Sequence, residues 1–362
     1  MRIENISLFN YRNLKEQRLD FVPGVNIFTG DNAQGKTNIL EAIYVCAMGR
    51  SQRSKNDCQL VAFSETEAHI RLVSNNGYSK DRIDVHIKSD GGKGIAVNNV
   101  PIKRLSELMG TFYAVIFSPE DLNIIKEGPS ARRRFMDMEL CQLSRQYYYN
   151  LKQYYRILKQ RNALLKSIQK NPSLFDSLFA WDSQLVSFAS VITDERRGFI
   201  EKINTISGFK YAEISGGDKL SLKYLPSAEK EDMEKRMKAM AQRDIAAGAT
   251  QIGPHKDDIC FLINEKDARV FGSQGQQRLL ALCVKLSETK LIKEMTGSDP
   301  TLLLDDVLSE LDKKRQLYLV NSIKDIQTFI TCTGIEDTLK SLSETGKIFY
   351  VSDGEAVEFC ED

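Results

Sequence analysis

GDNAQGKT, residues 30–37, follows the short apolar run VNIFT (25–29) and opens NILEAIYVCAM (38–48). The first run is rich in strand formers, and Ile39, Leu40, Ile43, Tyr44 and Ala47 recur at helical spacing in the second. Strand, glycine loop and helix, in that order, turn the pattern GxxxxGK[ST] into a phosphate site. Gly30 and Gly35 let the backbone curl with its N–H groups pointing inward, where a side chain would block the phosphates. The new helix adds the positive end of its dipole. Lys36 has the reach and charge for β- and γ-phosphates, and Thr37 carries the hydroxyl that such loops present to Mg²⁺. An ordinary glycine-rich turn would need neither the Lys-Thr pair nor both flanking elements. The stretch predicts a nucleoside triphosphate site.

The chain around it has 362 residues, enough for about two or three domains. Hydrophobic residues at 42% and charged residues at 27% are ordinary for a soluble globular protein. With a net charge of +1, a nucleic-acid partner has to be met by a local basic patch rather than a global field. The seven cysteines (46, 58, 141, 260, 283, 332 and 360) are scattered and form no CxxC. They read as free thiols in a reducing cytoplasm, with neither a disulfide frame nor zinc. The first residues alternate polar and apolar, unlike a signal peptide. No apolar run approaches the roughly 20 residues of a membrane span, so no membrane partner is expected.

RIENISLFNYRNL (2–14) reads as an opening strand and turn. After the loop helix, GRSQRSKND (49–57) carries Arg50, Arg53 and Lys55, which form either a solvated charge run or a DNA-facing patch. From 68 to 100, AHIRLVS, DRIDVHIK and GIAVNNV alternate as a β-meander. A short amphipathic helix (103–109) and a buried strand, TFYAVIF (111–117), are expected before the Ser118-Pro119 break. Leu140, Leu143, Tyr147, Leu151, Tyr154, Leu158 and Leu165 then keep a 3-4 rhythm. It resumes after Asn171-Pro172-Ser173 with Leu174, Leu178, Trp181, Leu185, Phe188, Ile192, Phe199 and Ile203. Two helices of about 30 residues, each about 45 Å long, should pack as an antiparallel αα-hairpin. Tyr147, Tyr148, Tyr149, Tyr154 and Tyr155 sit mostly at core spacing, which favours packing over base stacking. A charged helix (229–247) and strands at ICFLIN (259–264) and ARVF (268–271) follow.

FGSQGQQR (271–278) opens a strongly amphipathic helix. Ser273 and Gly275 at its start offer a second anion site, or a simple N-cap. TLLLDD (301–306) then places Asp305 and Asp306 at the end of an apolar strand. One carboxylate could hold the Mg²⁺ water shell and its neighbour could polarise an attacking water. Two adjacent buried carboxylates are costly without a cation, which favours a metal there. SELD (309–312), a helix, the strand TFITC (328–332) and a closing α/β unit end the chain.

With NYRNL (10–14), FSPED (117–121), EGPSARRRFMD (127–137), LKQRNALLK (158–166) and IGPHKDD (252–258), these motifs resemble the ABC-type ATPase heads of the SMC/Rad50-like superfamily. Among those heads the chain is similar to the RecF family of bacterial recombination mediators, over essentially its whole length. The resemblance implies an α/β P-loop head built from both chain ends (1–118 and 250–362), with a helical lobe (119–249) inserted. It implies ATP and Mg²⁺, with Gly30, Asp31, Asn32, Ala33, Gln34, Gly35, Lys36, Thr37 and Asn38 around the nucleotide and Arg12 a contact by analogy. Thr37 and Asp305 match the magnesium positions, and Asp306 stands where transporter-type heads place a catalytic Glu, a shortening that hints at slow turnover. Ser273, Gly275, Gln276 and Gln277 of one subunit would complete the site of another, with Ser309 and Asp312 in the D-loop. The usual switch His is replaced by ITCTG (330–334), so Thr331 or Thr333 would sense the γ-phosphate, and FSPED occupies the usual lid position. His255, Lys256 and Asp257 read as structural or lobe-junction residues.

The function so implied is ATP-dependent dimerisation on duplex DNA near gaps or junctions in recombinational repair, with weak DNA-stimulated ATP hydrolysis for release. RecR, RecO and RecA would be its partners, in the cytoplasm at the nucleoid. A transport ATPase is the first alternative, and would need a surface for membrane coupling helices. A clamp with long coiled-coil arms is the second, and the short heptad runs argue against it.

Overall fold

A computed structural model of the protein describes residues 1–334 and 346–359. Cys360 and part of the expected closing α/β unit lie outside them. In chain order the elements are β1 (Arg2–Tyr11), β2 (Leu14–Asp20), β3 (Val25–Thr29), α1 (Lys36–Met48), β4 (Glu67–Asn75), β5 (Lys80–Lys88), β6 (Lys93–Val97), β7 (Val100–Pro101) and β8 (Ala114–Phe117). Next come α2 (Asn123–Lys126), α3 (Pro129–Leu143), α4 (Arg145–Lys170), α5 (Leu178–Ser215), β9 (Leu220–Leu225), α6 (Met233–Ala247), β10 (Asp258–Ile263), β11 (Lys266–Asp267) and α7 (Ala268–Phe271). The chain ends with α8 (Gln274–Thr296), β12 (Thr301–Asp305), α9 (Lys313–Ser322), β13 (Thr328–Cys332), β14 (Lys347–Ser352) and β15 (Glu355–Glu358). Two compact units result. The first comprises Met1–Leu122, Glu213–Gly216 and Arg278–Asp362, the second Asn123–Ala212 and Gly217–Gln277.

The first unit contains two six-stranded sheets, ordered β2-β1-β4-β5-β6-β7 and β15-β14-β3-β13-β12-β8. The former is antiparallel, and its strands alternate buried and solvated residues. In the latter, β8, β12, β13, β3 and β14 all run parallel, so their carboxyl ends share one edge, where open α/β sheets bind ligands. Every residue of β12 and β13 is buried, as expected of parallel strands covered on both faces. Helix α1 packs between the sheets, touching β1, β4 and β5 on one side and β8, β12 and β13 on the other. It is therefore apolar nearly all round rather than along one stripe, and it ends at Gly49, whose φ of 64° suits a glycine stop.

The second unit holds the three-stranded sheet β11-β10-β9 and helices α2 to α7. Its hairpin is antiparallel: Leu165 and Leu178 share a core cluster, Arg161 pairs with Asp182 (2.6 Å), and Tyr147 accepts from Arg196 (3.0 Å). The heptad positions Tyr147, Tyr154, Leu158, Leu165, Leu178, Leu185, Ile192, Phe199 and Ile203 are buried as core, whereas Tyr149 and Tyr155 are exposed. Two arginines lie fully buried among them. Arg161 is also bound by Asp244 (2.7 Å) and Thr250 (2.8 Å); Arg196 is bound by Asp137 (2.8 Å), Asp257 (3.1 Å) and the Pro254 carbonyl (2.6 Å). Removing one partner from such a buried pair costs about 3–5 kcal/mol, because the other charge is stranded.

Several local expectations change. The first hairpin helix is divided at Ser144, whose hydroxyl caps α4 by accepting from Tyr147 N–H, and α5 is longer than expected at 38 residues. The helix expected at 103–109 is a single 3₁₀ turn, Leu105–Glu107, and the strand after it begins only at Ala114. ARVF forms the helical turn α7 instead of a strand, because Asp267 caps it by accepting from Arg269 N–H. The alternating LSLKYL becomes β9, which the sequence reading missed. Because β9 and β10 pair with each other, the second boundary falls inside α8 at Gln277, later than the expected 249/250.

Candidate nucleotide site

Residues 30–37 join the carboxyl end of β3 to α1, and close approach explains both glycines. At Gly30 (φ 145°) a Cβ would stand 2.2 Å from the Val351 carbonyl oxygen; at Gly35 (φ 118°) it would stand 2.9 Å from Asn13 Oδ1. Asn13 is a brace that the sequence reading left without a role. Its amide donates to the Gln34 carbonyl (2.9 Å), and its oxygen accepts from Asn38 Nδ2 (2.8 Å). The β14–β15 turn closes on the loop from the chain's other end. Gly354 N–H donates to the Gln34 carbonyl (3.1 Å) and Asp353 N–H to Gln34 Oε1 (2.6 Å). Lys36 is buried, and its ammonium donates to the carbonyls of Gly30 and Asp31. Burial lowers its pKa, opposed by the nearby carboxylates of Asp306, Asp31 and Asp305.

Sheet register brings the acidic end to this loop. Asp305 of β12 is level with Thr331 of β13, which is level with Phe28 of β3. Asp305 Oδ1 accepts from Thr37 Oγ1 (2.7 Å) and from Thr331 Oγ1 (2.8 Å). The Thr331 hydroxyl also accepts from Asp306 N–H (2.9 Å), where the chain turns with a φ of 52°. Ser309 holds that turn from the far side by donating to the Asp306 carbonyl (2.9 Å). Asp305 is buried but Asp306 only half-buried, so the two charges do not share one buried place as expected. The case for a cation rests instead on the convergence of Thr37 and Asp305, a hydroxyl and a carboxylate of the hard oxygen class that suits Mg²⁺. Asp312 caps α9 by accepting from Arg315 N–H (3.0 Å), and Thr333 is exposed just past β13.

Arg12, expected as a nucleotide contact, braces α1 within the protein. It grips the buried carboxylate of Glu41 on α1 in two-pronged fashion (2.9 and 2.8 Å), and donates to Ser54 (2.5 Å) and the Gln59 carbonyl (2.9 Å). Burial works to raise the Glu41 pKa, yet hydrogen bonds from Arg12 and Ser51, with the charges of Arg12 and Arg53, hold it below the usual range. In the basic loop, Arg53 donates to Asn38 Oδ1 (3.2 Å), while Arg50 and Lys55 are exposed. In EGPSARRRFMD, Arg132 is buried against Asp258 (2.5 and 3.0 Å) and the Glu127 carbonyl (2.8 Å).

In the second unit, Ser273 and Gln276 form a reciprocal cap on α8. Gln276 N–H donates to Ser273 Oγ (3.2 Å), and Ser273 N–H donates to Gln276 Oε1 (3.0 Å). Gln277 is buried and donates to the Ala268 carbonyl (2.9 Å), anchoring the motif to α7. Ser273 itself is exposed, next to the exposed apolar Val270 and Phe271. His255 accepts from Tyr154 Oη at Nδ1 (2.5 Å) and donates from Nε2 to the Thr250 carbonyl (3.0 Å). Burial lowers its pKa to about 4, so it is neutral and structural at pH 7. Asp257 is likewise consumed by Arg196 and by Ser227 N–H (2.8 Å). In FSPED, Asp121 accepts from Ser118 N–H (2.7 Å), a local turn at the end of β8.

The family described as RecF/RecN/SMC N terminal domain matches residues 2–356. The chain is 48% identical to the DNA replication and repair protein RecF of Lachnoclostridium phytofermentans, covering 98% of this chain and 99% of that one. It is 50% identical to the RecF of Lachnospira eligens, covering 99% of each. A solved structure of the recombination mediator protein RecF-ATP in the RecFOR pathway superposes with a TM-score of 0.93 at 38% identity, covering 99% of this chain and 98% of that one. The Smc head domain from Pyrococcus furiosus, at 17% identity and a TM-score of 0.58, shares the fold. By sequence over its whole length and by its ABC-type head fold, the chain belongs to the RecF family of DNA replication and repair proteins.

Proposed function

We propose that the chain is an ATP-dependent DNA-binding protein of recombinational repair, and that two copies close on duplex DNA when each holds ATP. The observation that carries this reading is the 2.7 Å contact between Thr37 and Asp305, which joins phosphate loop and carboxylate strand into one site. Lys36 and the loop N–H groups hold the triphosphate, and Lys36 exchanges the Gly30 and Asp31 carbonyls for phosphate oxygens. Thr37 and Asp305 would hold Mg²⁺, which would supply positive charge to offset that of the triphosphate. Asp306 orients the attacking water, with its backbone held by Thr331. Asp31, Asn32, Ala33, Gln34 and Asn38 shape the loop, and Arg12 positions α1 through Glu41. Ser273, Gly275 and Gln276 of a second copy, held in place by that copy's buried Gln277 and with Ser309 and Asp312 beside them, complete the γ-phosphate site.

The solved relative's ATP and RecFOR pathway support ATP as ligand and RecR and RecO as partners, with RecA downstream. Hydrolysis is weak and DNA-stimulated, and it times release. A long-armed clamp is disfavoured because α4 ends at a 3₁₀ turn after 26 residues. Analytical ultracentrifugation with ATP, ADP or no nucleotide, with and without gapped duplex, tests the reading. A dimer should form with ATP and bind the duplex. A protein that stays monomeric with ATP and DNA together would overturn it.

A further inference from the structure

Glu67 and His69 stand two residues apart on β4, so both project from the solvent face of the antiparallel sheet. The β4–β5 register sets His86 directly opposite His69. The two imidazoles stack with centroids 4.2 Å apart and planes within 10°, and both turn Nε2 toward the same carboxylate. His86 Nε2 lies 2.9 Å from Glu67 Oε2, and His69 Nε2 lies 3.7 Å from Oε1. One ligand atom from each of the three side chains falls within 4.8 Å of the other two. These are two of the three histidines in the chain, and the nucleotide site uses none of the three residues.

Two imidazole nitrogens and one carboxylate oxygen are the donor set of a zinc-class ion, whereas Mg²⁺ prefers oxygen alone. The side chains are half-exposed, at 49% for His69, 36% for His86 and 44% for Glu67, which leaves an entry path and a fourth position for water. With bonds of about 2.0–2.1 Å the donors must close to about 3.3 Å from one another. Side-chain rotation on paired strands can supply that. Phe9, opposite His69 on β1, lies 6.4 Å from its ring and bounds that rotation. Of the charged neighbours on this face, Arg71 is neutralised by Asp84 (2.8 Å), and Lys88 stands opposite Glu67.

We propose that Glu67, His69 and His86 bind one divalent ion of the zinc class, cross-linking β4 to β5, at a site that shares no residue with the Mg²⁺ position. The test uses the full chain, stripped by a chelator and titrated with Zn²⁺ against a chromophoric competitor, without nucleotide and in excess Mg²⁺. One equivalent should bind. His69→Gln, His86→Gln and Glu67→Gln should each weaken binding by more than about tenfold. Co²⁺ in the same site should lack a thiolate charge-transfer band, which excludes the cysteines as ligands. Zn²⁺ should raise the melting temperature of the parent and not of the variants. Parental ATP binding by each variant, measured without zinc, separates loss of a ligand from loss of the fold. Absence of saturable zinc binding, or undiminished binding in the His69→Gln/His86→Gln double variant, would overturn the proposal.

Discussion

Thr331 ties the acidic end of the site together through one hydroxyl, which donates to Asp305 and accepts from Asp306 N–H. Thr331→Val keeps the shape but leaves the half-buried Asp306 N–H without its acceptor and Asp305 with one donor fewer. Stability should fall by about 1–3 kcal/mol, and Mg²⁺-dependent ATP affinity should fall with it. Urea unfolding and ATP titrations with and without Mg²⁺ check this; a parental Mg²⁺ dependence would show that the hydroxyl does not orient Asp305. Lys36, Thr37 and Asp305 were legible in the sequence because their roles follow from short local spacing. Asn13, Val351 and Gly354 were not, since each meets the loop only through tertiary contact with residues far along the chain. Arg12 was legible as a candidate nucleotide contact, but its grip on Glu41 was not, because Glu41 looks like an ordinary polar position on a helix that proves to be buried all round.

At the scale of elements, the hairpin was legible from its heptads, while its buried charges were hidden. Arg161 and Arg196 meet their partners only when α4, α5, α6 and the segment before β10 are folded together. The same segment supplies a pH response. His255 has its pKa lowered to about 4 by burial, against an ordinary value near 6.5. Between those values the unfolded chain holds a proton that the folded chain excludes. The contribution is therefore fully present above about pH 6.5 and lost as the pH falls toward 4. From pH 7 to pH 5 this site should cost about 2 kcal/mol of stability. His255→Gln, which keeps a donor and an acceptor, should flatten that part of the pH profile in urea unfolding. An identical slope in the variant would place the proton elsewhere.

For the whole molecule, the lobe built from both chain ends was an expectation that came from the family resemblance. The second compact unit runs to Gln277, past the expected boundary, and includes the β9–β10 pair, a partnership across a helix that no local pattern announces. The net charge of +1 requires DNA affinity to come from a patch. Arg50, Arg53 and Lys55 are the first candidates, in the exposed loop that follows the phosphate-loop helix. Neutralising the three should lower the log–log salt slope of duplex binding by about one unit per lost phosphate contact. An unchanged slope would move the patch elsewhere. Assembly gives the sharper test. Ser273 is exposed at the start of α8 and belongs to a different compact unit from Lys36. Its reciprocal cap with Gln276 fixes the helix start through the chain's own groups. If a second copy supplies it to the γ-phosphate, Ser273→Arg should leave ATP binding to the monomer nearly unchanged while abolishing ATP-dependent dimerisation and hydrolysis. ADP, lacking the γ-phosphate, should dimerise the parent poorly. The check is hydrolysis rate against protein concentration, with sedimentation alongside. A rate per subunit that is independent of concentration, from a protein that stays monomeric, would show that the site is complete within one chain.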